Sequence, residues 1–148
     1  MTSCIFCQIV AKEAPAHVVY EDEHFLAFLD IYPVRPGHTL VIPRQHGQFL
    51  SDFAPEASGA LFVLGQRLGQ AIRDSELACQ DLNYVLNDGP VANQTVPHVH
   101  LHLVPRVRRD LGKLVGMLAR RPIQPLLGAA PPPLLAQQAR LIRASLER

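Results

Sequence analysis

The chain has 148 residues, 48% hydrophobic and 18% charged, which fits one globular domain and excludes an intrinsically disordered chain. Fourteen basic residues against thirteen acidic ones leave a formal charge of +1, so no long-range field favours nucleic acid or a membrane surface. The longest apolar runs fall far short of a membrane span, and residues 1–13 lack the basic start and apolar stretch of an export signal.

In chain order, residues 3–11 (SCIFCQIVA) are expected to form a short helical turn after Ser3. Residues 17–20 (HVVY) and 25–29 (FLAFL) read as two strands split by a hairpin turn at Glu21-Asp22-Glu23. Residues 39–42 (TLVI) form a third strand, entered through Pro36-Gly37 and stopped by Pro43. The clearest helix spans 55–74: Ala57, Ala60, Leu61, Leu64, Leu68, Ala71 and Ile72 follow the i, i+3, i+4, i+7 spacing, and Pro55 suits its first turn. Residues 82–87 (LNYVLN) read as a strand ended by Asp88-Gly89-Pro90, and 98–104 as a strand ended by Pro105. Residues 122–133 hold five prolines and read as a linker or arm without regular structure. Residues 134–147 form a final amphipathic helix. Short hairpin-linked strands with helices to one side indicate an α+β domain with an antiparallel sheet rather than a doubly wound parallel one.

The chemistry concentrates in His98-Val99-His100-Leu101-His102. Side chains alternate along a strand, so the three imidazoles share one face, roughly 6–7 Å apart, while Val99, Leu101 and Leu103 face a core. Such a row can bind a metal, supply a nucleophile with partners that fix its tautomer, or simply face solvent. Phosphorus chemistry suits it. A neutral imidazole is a good nucleophile near neutral pH, and a central ring flanked on both sides is best placed to be held in one tautomer.

This run, continued by Leu103-Val104, resembles the His-φ-His-φ-His-φ-φ signature (φ apolar) of the histidine triad (HIT) family. The stretch Asn87-Asp88-Gly89-Pro90-Val91-Ala92-Asn93-Gln94-Thr95-Val96 resembles the family's loop before the triad. Pro36 to His46 resembles its earlier strand, and Cys4-Ile5-Phe6-Cys7 with Ala27-Phe28-Leu29-Asp30 also fits. The resemblance covers about residues 4–106. It implies a five-stranded antiparallel sheet with flanking helices, a homodimer, and hydrolysis or transfer at the α-phosphate of a nucleotide through a nucleotidyl-histidine intermediate. Residues 1–108 would form the catalytic domain, with 109–148 a basic, proline-rich arm and a helix packed on it. Residue by residue, it implies His100 as nucleophile, His98 and His102 as its flanking partners and His38 as a buried support. Asn87, Asn93, Gln94 and Thr95 would lie near the phosphate and leaving group, with Gln94 donating to the leaving oxygen or capping the loop. Asp30 would accept from both ribose hydroxyls, a geometry one carboxylate can satisfy. Ile5, Phe6, Phe28 and Ile31 would line an apolar slot for the base, although Phe28 fits a core equally well. Asn93 stands where many members have glycine. The basic cluster of Arg106, Arg108, Arg109, Lys113, Arg120 and Arg121 reads as solvated surface before polyphosphate contact.

Three cysteines without an export signal point to a reducing compartment, the cytoplasm, where a close pair is more often metal-binding or redox-active than a disulfide. Cys4 and Cys7 form a Cys-x2-Cys pair, and a closed zinc site needs two more ligands. By the resemblance, which includes bacterial members with zinc on matching positions, His46 and His98 complete a structural site. No organic cofactor is implied. Candidate substrates are nucleoside phosphoramidates and dinucleoside polyphosphates, and by the resemblance Asp88-Gly89-Pro90 with Gln94-Thr95-Val96 leans toward the dinucleoside polyphosphate branch. Two other readings stand beside this one: a nucleotide- or zinc-binding regulatory module with little turnover, and a nucleotidyltransferase, against which His102 argues because transferase branches often carry Gln there.

Overall fold

The computed structural model describes residues 4–120 and 123–148; Ser3, Arg121 and Pro122 lie outside them. A short helix α1 (Ile5–Val10) precedes a hairpin of β1 (Val18–Glu21) and β2 (Phe25–Leu29), then β3 (Thr39–Pro43). The long helix α2 (Pro55–Asp74) follows, then β4 (Asp81–Leu86) and β5 (Leu101–Arg106). The chain ends with α3 (Leu111–Arg120), α4 (Gln124–Leu127) and α5 (Pro132–Leu146). The five strands form one antiparallel sheet in the order β1-β2-β3-β5-β4, flanked by the helices. Asp22 shapes the first hairpin, its Oδ1 accepting the N–H groups of His24 and Phe25 at 2.8 and 2.7 Å.

Register divides the sheet into two working faces. Leu40 lies opposite His102 and Val41 opposite Leu101, so consecutive residues serve opposite sides. Ala27, Leu29, Val41, Leu101 and Leu103 meet Leu61, Leu64, Leu68 and Ile72 of α2 and Leu135, Ala139 and Ile142 of α5 in the main core. Each large apolar side chain buried there contributes about 1.5–3 kcal/mol. Gly65 lets α2 lie close to the sheet, since a Cβ there would sit 2.6 Å from Leu101 Cδ2. The opposite face carries a smaller core of Leu26, Phe28, Leu40 and Ile42, covered by Cys4 and Phe6 from the α1 segment. The histidines open from this second face.

Three expectations need correction. The triad strand begins at Leu101, not His98, and runs through Pro105 to Arg106. Before Leu101 the backbone leaves the ladder: His98 N–H turns back to Val96 O at 2.8 Å, and Val99 N–H donates to Gly47 O at 2.8 Å. Pro105 is tolerated because Arg106 O accepts from Gln80 beside β4, so residue 105 faces β3, whose pairing has already ended at Leu103. The second correction concerns 122–133, where α4 forms one helical turn and α5 begins at Pro132. The third is α3, absent from the reading above, although Leu111, Leu114, Val115 and Leu118 carry helical spacing.

Arg106 and Asp110 lock the end of β5. Arg106 Nη2 and Nε donate to the two Asp110 oxygens at 2.6 and 2.9 Å, Val107 N–H adds a third bond at 3.0 Å, and Nη1 reaches Asn83 Oδ1 at 2.6 Å. This guanidinium is therefore engaged internally, not aimed at a polyphosphate. Its hydrogen bonds hold the Asp110 carboxyl down from 3.8 to about 2. The unfolded chain takes up this proton first, so the stability the pair gives is complete above about pH 5 and drains as pH falls toward 2. Denaturant unfolding is expected to show wild type exceeding Asp110→Asn by more at about pH 6 than at about pH 3. A difference independent of pH would contradict this assignment.

Candidate active site

His98, His100 and His102 are all buried, so the solvent-facing reading of the row fails. The rings of His100 and His102 lie closer than strand spacing alone suggests, with centroids 4.8 Å apart. Phe6 packs edge-on against His100 and His98, at 5.3 and 5.9 Å between centroids.

Hydrogen-bond partners assign the protons. His100 Nδ1 lies 2.7 Å from the carbonyl of His98, which can only accept, so this nitrogen carries the proton and Nε2 keeps its lone pair. His38 accepts the Val34 N–H at Nδ1, 3.0 Å away, so its proton sits on Nε2. That proton points to His102 Nδ1 at 2.9 Å, which must accept, leaving the His102 proton on Nε2. The column therefore presents an imidazole lone pair at His100 beside an imidazole N–H at His102. Asp30 Oδ2 stands 3.7 Å from His38 Nε2, while its Oδ1 accepts the Tyr32 N–H at 2.8 Å. Asp30 is thus also the turn residue before Tyr32-Pro33, with lone pairs remaining on both oxygens.

Cys4, Cys7, His46 and His98 converge, with one ligand atom from each within 4.8 Å of the others. Both Sγ atoms lie 3.6 Å from His98 Nδ1, and Cys7 Sγ lies 3.2 Å from His46 Nδ1. Sulfur and nitrogen on a tetrahedral zinc sit roughly 3.6 Å apart, given Zn–S of about 2.3 Å and Zn–N of about 2.0–2.1 Å. His98 Nε2 donates to Pro43 O at 2.8 Å, which turns the Nδ1 lone pair toward the thiols. Burial pushes the His98 pKa down and so favours its neutral form, with the nearby His46 and His100 adding to the effect and the bond to Pro43 opposing it. The donor set fits zinc, and four protein ligands would leave no open position.

The loop before the triad is held from within. Gly89 N–H donates to Gln94 Oε1 at 3.1 Å, and Gln94 Nε2 donates to Gln48 O at 2.7 Å. Gln94 thus caps the loop in this structure, its amide turned inward rather than toward a leaving group. Asn93 adopts the left-handed conformation at φ 69°, a region that asparagine tolerates better than most side chains. Asn87 Nδ2 donates to Asn93 O at 3.3 Å, and Thr95 is exposed. Of the four base-slot candidates, Phe6 and Phe28 are buried in the smaller core, their centroids 5.4 Å apart, while Ile5 and Ile31 are exposed. The decisive backbone partners, Val34 N–H and the carbonyls of Pro43 and His98, carry no side-chain signal by which a sequence could name them.

Fold and site together define a class: an α+β protein whose central strands support a wired column of imidazoles beside a Cys-Cys-His-His cluster. The chain belongs to the HIT domain family, whose model matches residues 11–109. An uncharacterized HIT-like protein of Mycobacterium tuberculosis is 48% identical over 120 residues, 80% of this chain and 82% of the relative. An adenosine 5'-monophosphoramidase of Saccharomyces cerevisiae is 36% identical over 135 residues, 91% of this chain and 82% of the relative. The crystal structure of a Zn-bound histidine triad family protein from Mycobacterium smegmatis matches with a TM-score of 0.82 at 43% identity, over 98% of this chain and 94% of that one. Among the described residues no helix is long and apolar enough to cross a membrane.

Proposed function

We propose that this protein is a nucleotide hydrolase acting at the α-phosphate, with nucleoside phosphoramidates as its first substrate class and dinucleoside polyphosphates as its second. The observation that carries this is the 2.7 Å bond from His100 Nδ1 to the His98 carbonyl, which leaves the nucleophilic lone pair on Nε2. The phosphoramidase name of the yeast relative supports the order of the two substrate classes. In the first step the His100 Nε2–P bond forms and the P–N bond breaks. Its electron pair leaves with the amine, which takes up a proton. In the second step water attacks phosphorus, the Nε2–P bond breaks, and nucleoside monophosphate departs as the spare proton is released. His102 Nε2–H donates to a phosphoryl oxygen, where charge develops. Asp30 takes the ribose hydroxyls, and Ile5 and Ile31 border the base. The test is a quenched single turnover with substrate labelled at the α-phosphorus: label on His100 supports the reading, and label on another residue, or on none, sinks it.

Zinc on Cys4, Cys7, His46 and His98 would tie α1 to the triad segment and orient the His98 carbonyl, supplying structure rather than a reacting group. A cytoplasmic location belongs to this reading, since a Cys-x2-Cys pair serving as metal ligands suits a reducing compartment. The working form is a homodimer. β4 is an edge strand with Tyr84 and Val85 exposed, and α2 exposes Phe62 and Val63, the latter at 67%. A second copy covers both. Sedimentation at micromolar concentration is expected to give twice the chain mass, and monomer mass would refute it.

A further inference from the structure

We propose that Gln138, on the C-terminal helix α5, is a positioning residue for the histidine column: by holding Gly37 it fixes the tautomer of His38 and, through it, that of His102. This inference builds on the proposed reaction, but the tautomers it concerns belong to the resting protein. α5 lies outside the stretch the family model matches, residues 11–109.

Gln138 is only 4% exposed, on the helix side whose other buried residues are Leu135, Ala139 and Ile142. An amide in such surroundings is costly unless it is bonded, and an apolar side chain of similar volume would pack there without that cost. Its Oε1 accepts the Gly37 N–H at 2.9 Å, joining residues 101 apart in sequence. Glycine is required at position 37 by its backbone and its surroundings. Its φ is +86°, and a Cβ would come within 2.9 Å of Leu77 Cδ1. From this anchored glycine the turn is wired outward. Thr39 Oγ1 donates to Gly37 O at 2.9 Å, and His38 N–H donates to Arg35 O at 3.0 Å.

The same turn delivers Val34 N–H to His38 Nδ1 at 3.0 Å. That contact directs the proton to Nε2, the nitrogen that also stands 3.7 Å from Asp30 Oδ2. With it, His38 carries hydrogen on Nε2 and donates to His102. Without it, His38 can carry hydrogen on Nδ1, its Nε2 becomes an acceptor, and His102 must present Nδ1–H. The His102 Nε2 proton that faces developing charge is then gone. Asp30 fixes the other end of this loop, donating its N–H to His38 O at 2.9 Å. Two contacts reach the loop from outside the sheet, Ala130 N–H to Ile31 O at 2.8 Å and Gln138, and of these Gln138 holds the residue next to His38.

Gln138→Met keeps the volume and removes the acceptor, while Gln138→Glu keeps an acceptor oxygen. Ile142→Val serves as a comparator that loosens the same helix without touching Gly37. In the full chain, ring nitrogen–proton correlation spectra are expected to show His38 and His102 each as a single Nε2–H tautomer. In Gln138→Met, His38 becomes a mixture. kcat on adenosine 5'-phosphoramidate falls about tenfold with KM within about twofold, and Gln138→Glu recovers most of the loss. A single Nε2–H tautomer at His38 in Gln138→Met overturns the proposal, as does an equal kcat loss in Ile142→Val. If the wild type leaves phosphoramidate untouched while Gln138→Met still mixes the tautomers, the proposed reaction falls and the positioning role stands.

Discussion

Replacing His100 with asparagine is expected to lower kcat on a nucleoside phosphoramidate by about 10⁴-fold or more, with the folded state retained. The size follows from the role. A hydrogen-bond donor that is lost costs one contact, but a nucleophile that is lost removes the covalent route altogether. Asparagine is a demanding choice because its amide N–H can still reach the His98 carbonyl that His100 Nδ1 now meets at 2.7 Å. It also leaves His102 and His38 bonded to each other at 2.9 Å. What vanishes is the Nε2 lone pair. Steady-state kinetics and thermal unfolding of the two proteins, measured together, separate the loss of chemistry from a loss of fold. Turnover within about tenfold of wild type would remove His100 as the attacking group and leave positioning alone to explain the column.

The same distinction explains what the sequence could disclose. Elements with strong periodicity were readable: α2 coincides with the helix read from Leu61, Leu64, Leu68 and Ile72, and β2 with the strand read from FLAFL. The sheet was readable because hairpin turns announce antiparallel neighbours. The start of β5 was not, because alternation at His98-Val99-His100 looks like a strand whether or not a neighbour pairs with it. Here Val99 pairs with Gly47 instead. α3 was obscured by its basic setting, although its apolar spacing is helical. At the site, residues with chemical side chains in a distinctive order, namely the three histidines and Cys4-Cys7, stood out. Their wiring did not. The Val34 amide and the Pro43 carbonyl are backbone groups that any residue would supply, and Gln138 meets Gly37 only after the chain folds. Gln94 shows the converse, a residue whose motif position suggested leaving-group chemistry and whose amide is turned to Gly89 and Gln48.

The native protein is expected to carry one zinc per chain, and removing it with a chelator, or substituting Cys7→Ser, is expected to lower Tm by about 8–16 °C. The figure comes from a metal present at about a thousand times its Kd, which stabilises by roughly 4 kcal/mol, and from about 2–4 °C per kcal/mol in a chain this long. The stabilisation has a local address. α1 is only six residues long and has no side-chain cap, so Phe6 packing and the Cys4 and Cys7 contacts must hold it to the sheet. A helix this short does not persist alone. The effect on kcat is expected to be far smaller than that of His100→Asn, because the chemistry borrows only the His98 carbonyl, and that residue stays pinned through Nε2 to Pro43 O. Metal analysis of protein purified without chelator, followed by calorimetry before and after chelation and zinc return, reads both quantities. Less than about a tenth of an equivalent of zinc, together with a Tm indifferent to chelator, would show that the two thiols and two imidazoles meet as a packed polar cluster and not as a ligand set.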